Sequence, residues 1–473
     1  MKAAVKAADV RLAARMAGTR MAGTRGRMPR LSSRSLDPTR FVEITMWIGA
    51  VISCLGLTAL LRTGGRGLEP LPEMFSGVPF TAARRPHFSP VSLLAPAVAA
   101  VVVVGAWRGV HSRMRWGRLL LAGYVASLGW TVALAAAGRT GLSGPLSGPD
   151  GYLAELGTVD HDPLGFLRTF TGHASAYGSD TRSHPPGPAL LLWTLTRLGI
   201  TAPGTLGLVL TALGAAALPL AAIAVRSLCH ETAARRLVPI LALAPWAVWM
   251  VASVDGVAAT LAAAFVTFGV IGSEPGRRLG WSAASGLLLG MATLFNYGVP
   301  WLGIAVVATY FVRRRPLLNM ITGACFLVPL SLAAFCGYSW PDGFAVAGTR
   351  AAGSTTAGRG WMTLVPVGLA VVLVACGPLV VRAARRVRLT PGWPLLLGAV
   401  AAIGFGMLTG LAPGEAARAW LPFYCWLLVP ALAPDPRPDG PGDTARAGTL
   451  PLGLTGVGAL TAIVARACLP GSP

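Results

Sequence analysis

The sequence predicts an all-α, polytopic membrane protein with about 13 transmembrane helices and a large outer loop that carries an interfacial helix. Two observations predict this fold class. Of the 473 residues, 54% are hydrophobic and only 12% are charged, whereas a soluble domain carries about 25% charged residues. The hydrophobic residues are also collected in long runs, and a membrane-spanning helix needs roughly 20 consecutive, mostly apolar residues.

Thirteen runs approach the length that a spanning helix requires, and the segments near 300 and 425 are the shortest of them. The runs lie at about 43–61, 91–107, 119–137, 205–225, 237–252, 256–272, 281–297, 298–312, 317–338, 361–381, 393–410, 420–434 and 450–465.

One further apolar segment, 187–199, decides the topology of everything after it. Thirteen helical residues reach only about 20 Å, which is too short for a hydrocarbon core of about 30 Å. We therefore expect this segment to lie along the outer membrane face as an interfacial helix.

Charge asymmetry then gives the orientation. With the N-terminus inside, the inner segments carry 28 of the 40 Lys and Arg residues but only 8 of the 18 acids. Cytoplasmic loops are enriched in basic residues in this way. The net charge of +22 therefore indicates orientation in a plasma membrane, and no nucleic-acid partner is expected.

These assignments divide the chain into four parts. Residues 1–42 are expected to form a disordered basic cytoplasmic tail, and 43–137 three N-terminal transmembrane helices. Residues 138–204 form an outer loop with the candidate active site and the interfacial helix. Residues 205–473 form a multi-helix transmembrane region with further outer loops at 339–360 and 411–419.

The loop 138–204 concentrates ionisable side chains that the predicted spans lack, so it is the first place to look for chemistry. Asp150 is our first choice for a catalytic base, with Asp160 and Asp162 next. Asp150 also has the sequence context of a turn or a helix N-cap. Asp160, His161 and Asp162 could bind a divalent metal ion, although adjacent residues rarely all point at one ion.

Two motifs resemble the GT-C superfamily of membrane glycosyltransferases. The string Ser-His-Pro-Pro-Gly-Pro at 183–188 is similar to the His-Pro-Pro element of its protein-mannosyltransferase branch, which there ends the first large outer loop. The runs at 150–170 and Gly-Glu-x-x-Arg-x-Trp at 414–420 are similar to uncharacterised bacterial members.

The resemblance implies inverting transfer of a sugar from a polyprenyl-phosphate donor to a glycan, lipid or protein acceptor at the outer face. An outer-loop carboxylate would accept the proton of the acceptor hydroxyl. Cationic side chains, or a divalent metal ion, would offset charge on the departing lipid phosphate. No cofactor is certain. The residues expected to bind substrate or phosphate are Tyr152, Arg182, His184, Glu415 and Arg418.

The chain departs from the family pattern in two respects. Its polar loop follows the third predicted span rather than the first, and no Asp-Asp or Asp-Glu pair opens that loop. The alternatives are a transporter or flippase of a lipid-linked glycan and a non-catalytic envelope-assembly protein. Transporters keep ionisable groups within their spans, whereas Asp255 is expected at an outer turn. Asn296 and Tyr297 are expected to anchor a span at the interface.

Overall fold

Helices and their connections make up the regular structure of the computed structural model, which describes residues 38–63, 90–138, 140–147, 151–354, 360–387, 390–410, 416–432 and 450–468. Within those ranges no strand is present. The predicted all-α class is therefore confirmed, and the apolar helices are those of a multi-pass membrane protein.

Three long helices precede the loop 138–204. They are α1 (Pro38–Thr63), α2 (Leu94–Trp107, entered through the 3-10 turn Pro90–Leu93) and α3 (Trp116–Ala137). The one-turn helix Val110–Arg113 connects α2 to α3.

The loop itself is built from short helices. They are the single turns Gly144–Ser147, Tyr152–Glu155 and Ser179–Arg182, together with α4 (Leu156–His161), α5 (Pro163–His173) and α6 (Gly187–Arg197). Helix α6 occupies the segment predicted as interfacial, and its 11 residues reach only about 16 Å. It buries Ala189, Leu192 and Leu195 against the protein. Its placement at a membrane surface stays a prediction.

The remaining helices follow the predicted apolar runs, except for one helix that occupies most of the predicted outer loop 339–360. They are α7 (Pro203–Ala215), α8 (Ala217–Leu228), α9 (Glu231–Ala242), the turn Ala247–Met250, α10 (Val254–Gly272), α11 (Gly280–Thr293), α12 (Val299–Val312), α13 (Leu318–Phe335), α14 (Trp340–Ser354), α15 (Gly360–Cys376), α16 (Leu379–Arg386), α17 (Trp393–Thr409), the turn Ala416–Ala419, α18 (Leu421–Leu427), the 3-10 turn Val429–Leu432 and α19 (Leu452–Cys468).

The structure does not confirm the predicted count of thirteen spans. Within the described ranges, six helices are long and apolar enough to cross a membrane, or seven if the bent pair α15 and α16 forms one span. That pair turns by 103° at Gly377, whose φ of +63° favours glycine, and Pro378. The run 237–252 is likewise broken, into α9 and a single turn. Glycine and proline interrupt runs that hydropathy alone leaves continuous.

Helix α10 is the most buried of the candidate spans, with 72% of its apolar window inside the protein. At its C-terminal end, Arg313 donates to the carbonyl oxygens of Val270 (2.7 Å) and Ser227 (2.6 Å). Because a guanidinium stabilises carbonyls left unpaired at helix C-termini, this arginine joins the ends of α8 and α10. The candidate site lies at the opposite, N-terminal end of α10.

Candidate active site

The loop 138–204 has an aromatic core of its own, which sets the position of the residues that follow it. Phe166, Phe170 and Tyr177 pack with ring centroids 5.4–5.6 Å apart. Tyr338, just after α13, packs edge-on against Phe170 at 5.6 Å. These contacts hold α5 against the end of α13.

The His-Pro-Pro-Gly-Pro segment is attached directly to the end of α11. The backbone N–H of Gly187 donates to the carbonyl oxygen of Leu294 at 3.0 Å. A Cβ on Gly187 would collide with that same oxygen, so glycine is required for the close approach of the two backbones. The approach places His184, three residues earlier, inside the protein, where its side chain is 3% exposed.

Both ring nitrogens of His184 are hydrogen-bonded. Nδ1 lies 3.0 Å from the carbonyl oxygen of Asp180, and Nε2 lies 3.0 Å from Oδ1 of Asp255. A carbonyl only accepts, so Nδ1 carries a hydrogen. The bond at Nε2 therefore contains a second proton, and the pair is either imidazolium with carboxylate or neutral ring with carboxylic acid.

Helix geometry favours the ionised form of this pair. Asp255 is the second residue of α10, and Ser253 caps that helix by accepting from the Asp255 N–H at 3.1 Å. Negative charge is stabilised at a helix N-terminus. The Nδ2 group of Asn296 also donates toward Asp255 Oδ1 at 3.4 Å. The helix N-terminus and the two donors, His184 and Asn296, support a carboxylate, and His184 is then the imidazolium that balances it.

Asn296 connects this buried pair to the C-terminal part of the chain. Its Nδ2 donates to the carbonyl oxygen of Ala419 at 2.9 Å, and its Oδ1 accepts from the N–H of Gly298 at 2.9 Å. The adjacent Arg418 donates from Nη2 to Asp180 Oδ1 at 2.6 Å. The motifs at 183–188 and 414–420 thus meet in space, although Asp180 and Arg418 are 238 positions apart.

A small cleft lies beside these groups. Its lining combines polar side chains with apolar and aromatic ones. The polar side chains are Ser183, His184, Asn296 and Tyr297, and the rest are Gly298, Ala402, Phe405, Gly406, Ala419, Trp420 and Phe423.

The aromatic residues that line the cleft belong to a larger set of packed rings. Phe405 contacts Trp301 (4.7 Å between centroids) and Phe344 (5.8 Å), and Phe344 stacks on Trp340 at 5.5 Å. Tyr297 lies against both Trp340 and Phe344. Flat ring faces of this kind suit the apolar face of a sugar or an isoprenoid chain as well as each other.

Tyr297, one of the polar lining residues, contacts a second tyrosine, Tyr338. The hydroxyl groups of Tyr297 and Tyr338 are 3.1 Å apart. Burial raises the pKa of Tyr297 to about 12 and also raises the pKa of Tyr338. Both phenols therefore remain protonated across the physiological range and can donate hydrogen bonds.

The sequence-predicted carboxylates have other surroundings. Asp160 accepts from Trp193 (3.0 Å) and pairs with Arg197 at 2.8 Å, with both partners of that pair more than half exposed. Asp162 caps α5 by accepting from the N–H of Gly165 at 2.8 Å. Asp150 lies outside the described residues. A catalytic role for these three stays a prediction.

The predicted substrate-binding residues divide between the site and its surroundings. His184 and Arg418 are brought together at the site, and the ring of Tyr152 lies edge-on to His184 at 6.1 Å. Arg182 is exposed two positions before His184. Glu415 lies outside the described residues.

No metal-binding cluster is found in the described ranges, since no three His, Cys, Asp or Glu side chains converge there. Three residues of the site, Asp180, Asp255 and Asn296, are not among those that the sequence predicts to belong to it. Asp180 belongs to neither motif, Asp255 is expected at a turn, and Asn296 is expected as an interfacial anchor. The structure buries both Asn296 and Tyr297. One sequence feature does point to the site, because Asp255 is an acidic residue at the start of a long apolar run.

No family model matches the chain, and no curated protein matches it. Two solved structures resemble it in fold. One is ArnT from Cupriavidus metallidurans in the apo state, with 17% identity and a TM-score of 0.38, covering 56% of this chain and 51% of that one. The other is ArnT from Cupriavidus metallidurans bound to undecaprenyl phosphate, with 15% identity and a TM-score of 0.44, covering 70% of this chain and 62% of that one.

The chain thus spans between half and two thirds of the ArnT structures that it matches. The likeness concerns the general arrangement of helices.

Proposed function

We propose that the protein is a membrane glycosyltransferase that takes a sugar from a polyprenyl-phosphate donor and transfers it, with inversion, to a glycan, lipid or protein acceptor at the outer face of the plasma membrane. One observation carries the proposal. A loop carboxylate, Asp180, is held by an arginine from the far end of the chain, Arg418, beside a cleft that polar and aromatic side chains line together.

Asp180 has the geometry of a general base. Arg418 engages its Oδ1 at 2.6 Å, so Oδ2 can accept a hydrogen bond from a substrate hydroxyl. The side chain is 11% exposed, which is enough for contact with a bound acceptor. In the reaction, Asp180 takes the proton of the acceptor hydroxyl while the hydroxyl oxygen attacks the anomeric carbon. The bond from that carbon to the phosphate oxygen breaks, and polyprenyl phosphate leaves.

The leaving phosphate needs positive charge close to the cleft. Arg418 supplies a guanidinium, which can bind phosphate oxygens with two parallel hydrogen bonds. Arg182 is exposed near the same segment, and the imidazolium form of His184 lines the cleft. These cations would stabilise charge that develops on the phosphate as the glycosidic bond breaks.

The buried pair also favours a second candidate, transport of a lipid-linked glycan. Asp255 belongs to a candidate span, contrary to the expectation that the spans carry no ionisable group, and with His184 it can hold a proton. Such groups mark proton pathways in transporters. Asp255 lies in the first turn of α10 rather than at its middle, and this position favours the enzyme.

The test compares Asp180→Asn with Asp162→Asn, so that the base proposed here is measured against a loop carboxylate that the sequence offers for the same role. Asparagine can still accept from Arg418, so Asp180→Asn keeps the ion-pair geometry while it removes the base. Depletion of the protein in cells identifies the polyprenyl-phosphate sugar that accumulates, and that donor is then supplied to proteoliposomes containing each variant.

We expect Asp180→Asn to lower sugar transfer by about 10²–10⁴-fold, the usual contribution of a general base, and Asp162→Asn to retain it. Wild-type transfer by Asp180→Asn would remove Asp180 from the mechanism. Movement of the lipid-linked glycan across the membrane with no sugar transferred would instead support the transporter.

A further inference from the structure

The hydrogen bonds of the site form a closed ring through four separate segments of the chain. Beginning at the loop, Asp180 pairs with Arg418 at 2.6 Å, and the next residue, Ala419, accepts from Asn296 at 2.9 Å. Asn296 donates toward Asp255 at 3.4 Å. Asp255 and the carbonyl of Asp180 both bind His184 at 3.0 Å, which returns the path to Asp180.

We propose that Asn296 and Asp255 are positioning residues that act through this ring to hold Arg418 against Asp180. The inference rests on the proposed function, in which Asp180 is the base and Arg418 binds phosphate. Within the ring, Asn296 bonds the carbonyl of the residue after Arg418, and Asp255 bonds the histidine that contacts the Asp180 carbonyl. Their effect passes through Ala419 on one side and His184 on the other.

The chemistry of each side chain suits its place in the ring. Asn296 must donate to two acceptors through Nδ2 and accept from Gly298 through Oδ1, a combination that only an amide provides at this size. Asp255 must accept from both His184 and Asn296. An aspartate at 296 has no N–H, so it would lose both donated bonds and would face a second carboxylate.

Burial makes the ring rigid enough to set positions. Asp255 and Asn296 are 2% and 5% exposed, so water cannot readily replace a broken bond. The Arg418 end depends on this anchor, because the short turn Ala416–Ala419 is tied by Asn296 at its last carbonyl. Loss of the tie should let Arg418 move relative to Asp180, and a displacement of about 1 Å can lower a rate by about 10²-fold.

The first experiment measures kcat and KM for Asn296→Asp and Asp255→Asn, two near-isosteric changes with opposite expected results. Asn296→Asp opens the ring, and we expect kcat to fall by about 10²-fold while KM for the donor changes by less than about 3-fold. Asp255→Asn leaves the ring closed while His184 stays protonated, since an amide oxygen in the place of Oδ1 can accept from both Nε2 of His184 and Nδ2 of Asn296. Its kcat should therefore lie closer to wild type.

A second measurement needs no activity. The coupling between Asp180 and Arg418 is obtained from a double-mutant cycle, Asp180→Asn with Arg418→Gln, on the unfolding midpoint of the purified full chain. The cycle is repeated with Asn296→Asp present. We expect the coupling to be clear in the wild-type background and to be lost in the Asn296→Asp background.

An unchanged coupling in the Asn296→Asp background overturns the positioning role, whatever reaction the protein performs. A lost coupling in a protein that transfers no sugar supports the ring and contradicts the proposed function alone. A kcat for Asp255→Asn as low as that for Asn296→Asp would also overturn the proposal, because it would make the carboxylate charge, rather than ring closure, the essential property.

Discussion

Removal of Asp255 should destabilise the protein far more than removal of the carboxylate at Asp160. Deleting one partner of a buried ion pair typically costs about 3–5 kcal/mol, because the other charge is left without compensation. His184 can release its proton when Asp255 is absent, so the lower end of that range applies, and we expect about 3 kcal/mol for Asp255→Ala. This corresponds to roughly a 10²-fold change in the unfolding equilibrium.

Asp160→Ala provides the matched comparison. Its pair with Arg197 is more than half exposed on both sides, and exposed pairs contribute about 0.2–1 kcal/mol. Asp255→Asn, which keeps a hydrogen-bonding partner for His184, should cost about 1 kcal/mol. The order of destabilisation is therefore Asp255→Ala first, with the other two close together.

The assay is denaturant titration of the purified protein in mixed detergent micelles, followed by tryptophan fluorescence under identical conditions for each variant. Equal midpoints for Asp255→Ala and Asp160→Ala would refute the reasoning, because the calculation depends entirely on the difference in burial between the two pairs. A midpoint for Asp255→Asn as low as that for Asp255→Ala would show that charge rather than hydrogen bonding dominates.

Three further predictions follow from other parts of the chain. Asp162→Ala removes the cap of α5 and should cost about 1 kcal/mol, measured by the same titration, while Asp162→Ser should restore most of it. In a cysteine-free background, a membrane-impermeant thiol reagent should label Ser175→Cys in intact cells but not Arg278→Cys; the reverse pattern would invert the proposed topology. Burial, followed by neighbouring arginines, lowers the pKa of His111 below its usual 6.5, so the unfolded chain binds that proton more readily. Stability from neutral His111 is therefore complete above about pH 6.5 and is lost as the pH falls, and His111→Gln should flatten that part of the pH–stability curve.

Much of the fold follows from hydropathy because a spanning helix must be apolar along its whole length. The helical segments therefore lie close to the predicted runs. Their continuity is less predictable, since it depends on backbone details such as the positive φ of Gly377. A run of uniform hydropathy does not reveal that α15 and α16 meet at 103°.

The site was predictable only in part. His184 and Arg418 could be selected because each belongs to a local motif. Their partners Asp255 and Asp180 are 71 and 238 positions away, and no local pattern joins residues at such separations. Asp160 and Asp162 are of a residue type that is common in active sites. In the structure, however, Asp162 caps a helix and Asp160 forms an exposed ion pair.

The distance along the chain between Asp180 and Arg418 has a consequence for biosynthesis. Ribosomes add about 5–20 residues per second, so the loop is made roughly 10–50 seconds before the arginine that completes its ion pair. During that interval the carboxylate has no Arg418 beside it, and Asn296 has no Ala419 carbonyl to bind. The site is therefore incomplete in a partly inserted chain, and under the proposed function such a chain would have no transfer activity until nearly all of its helices have entered the bilayer.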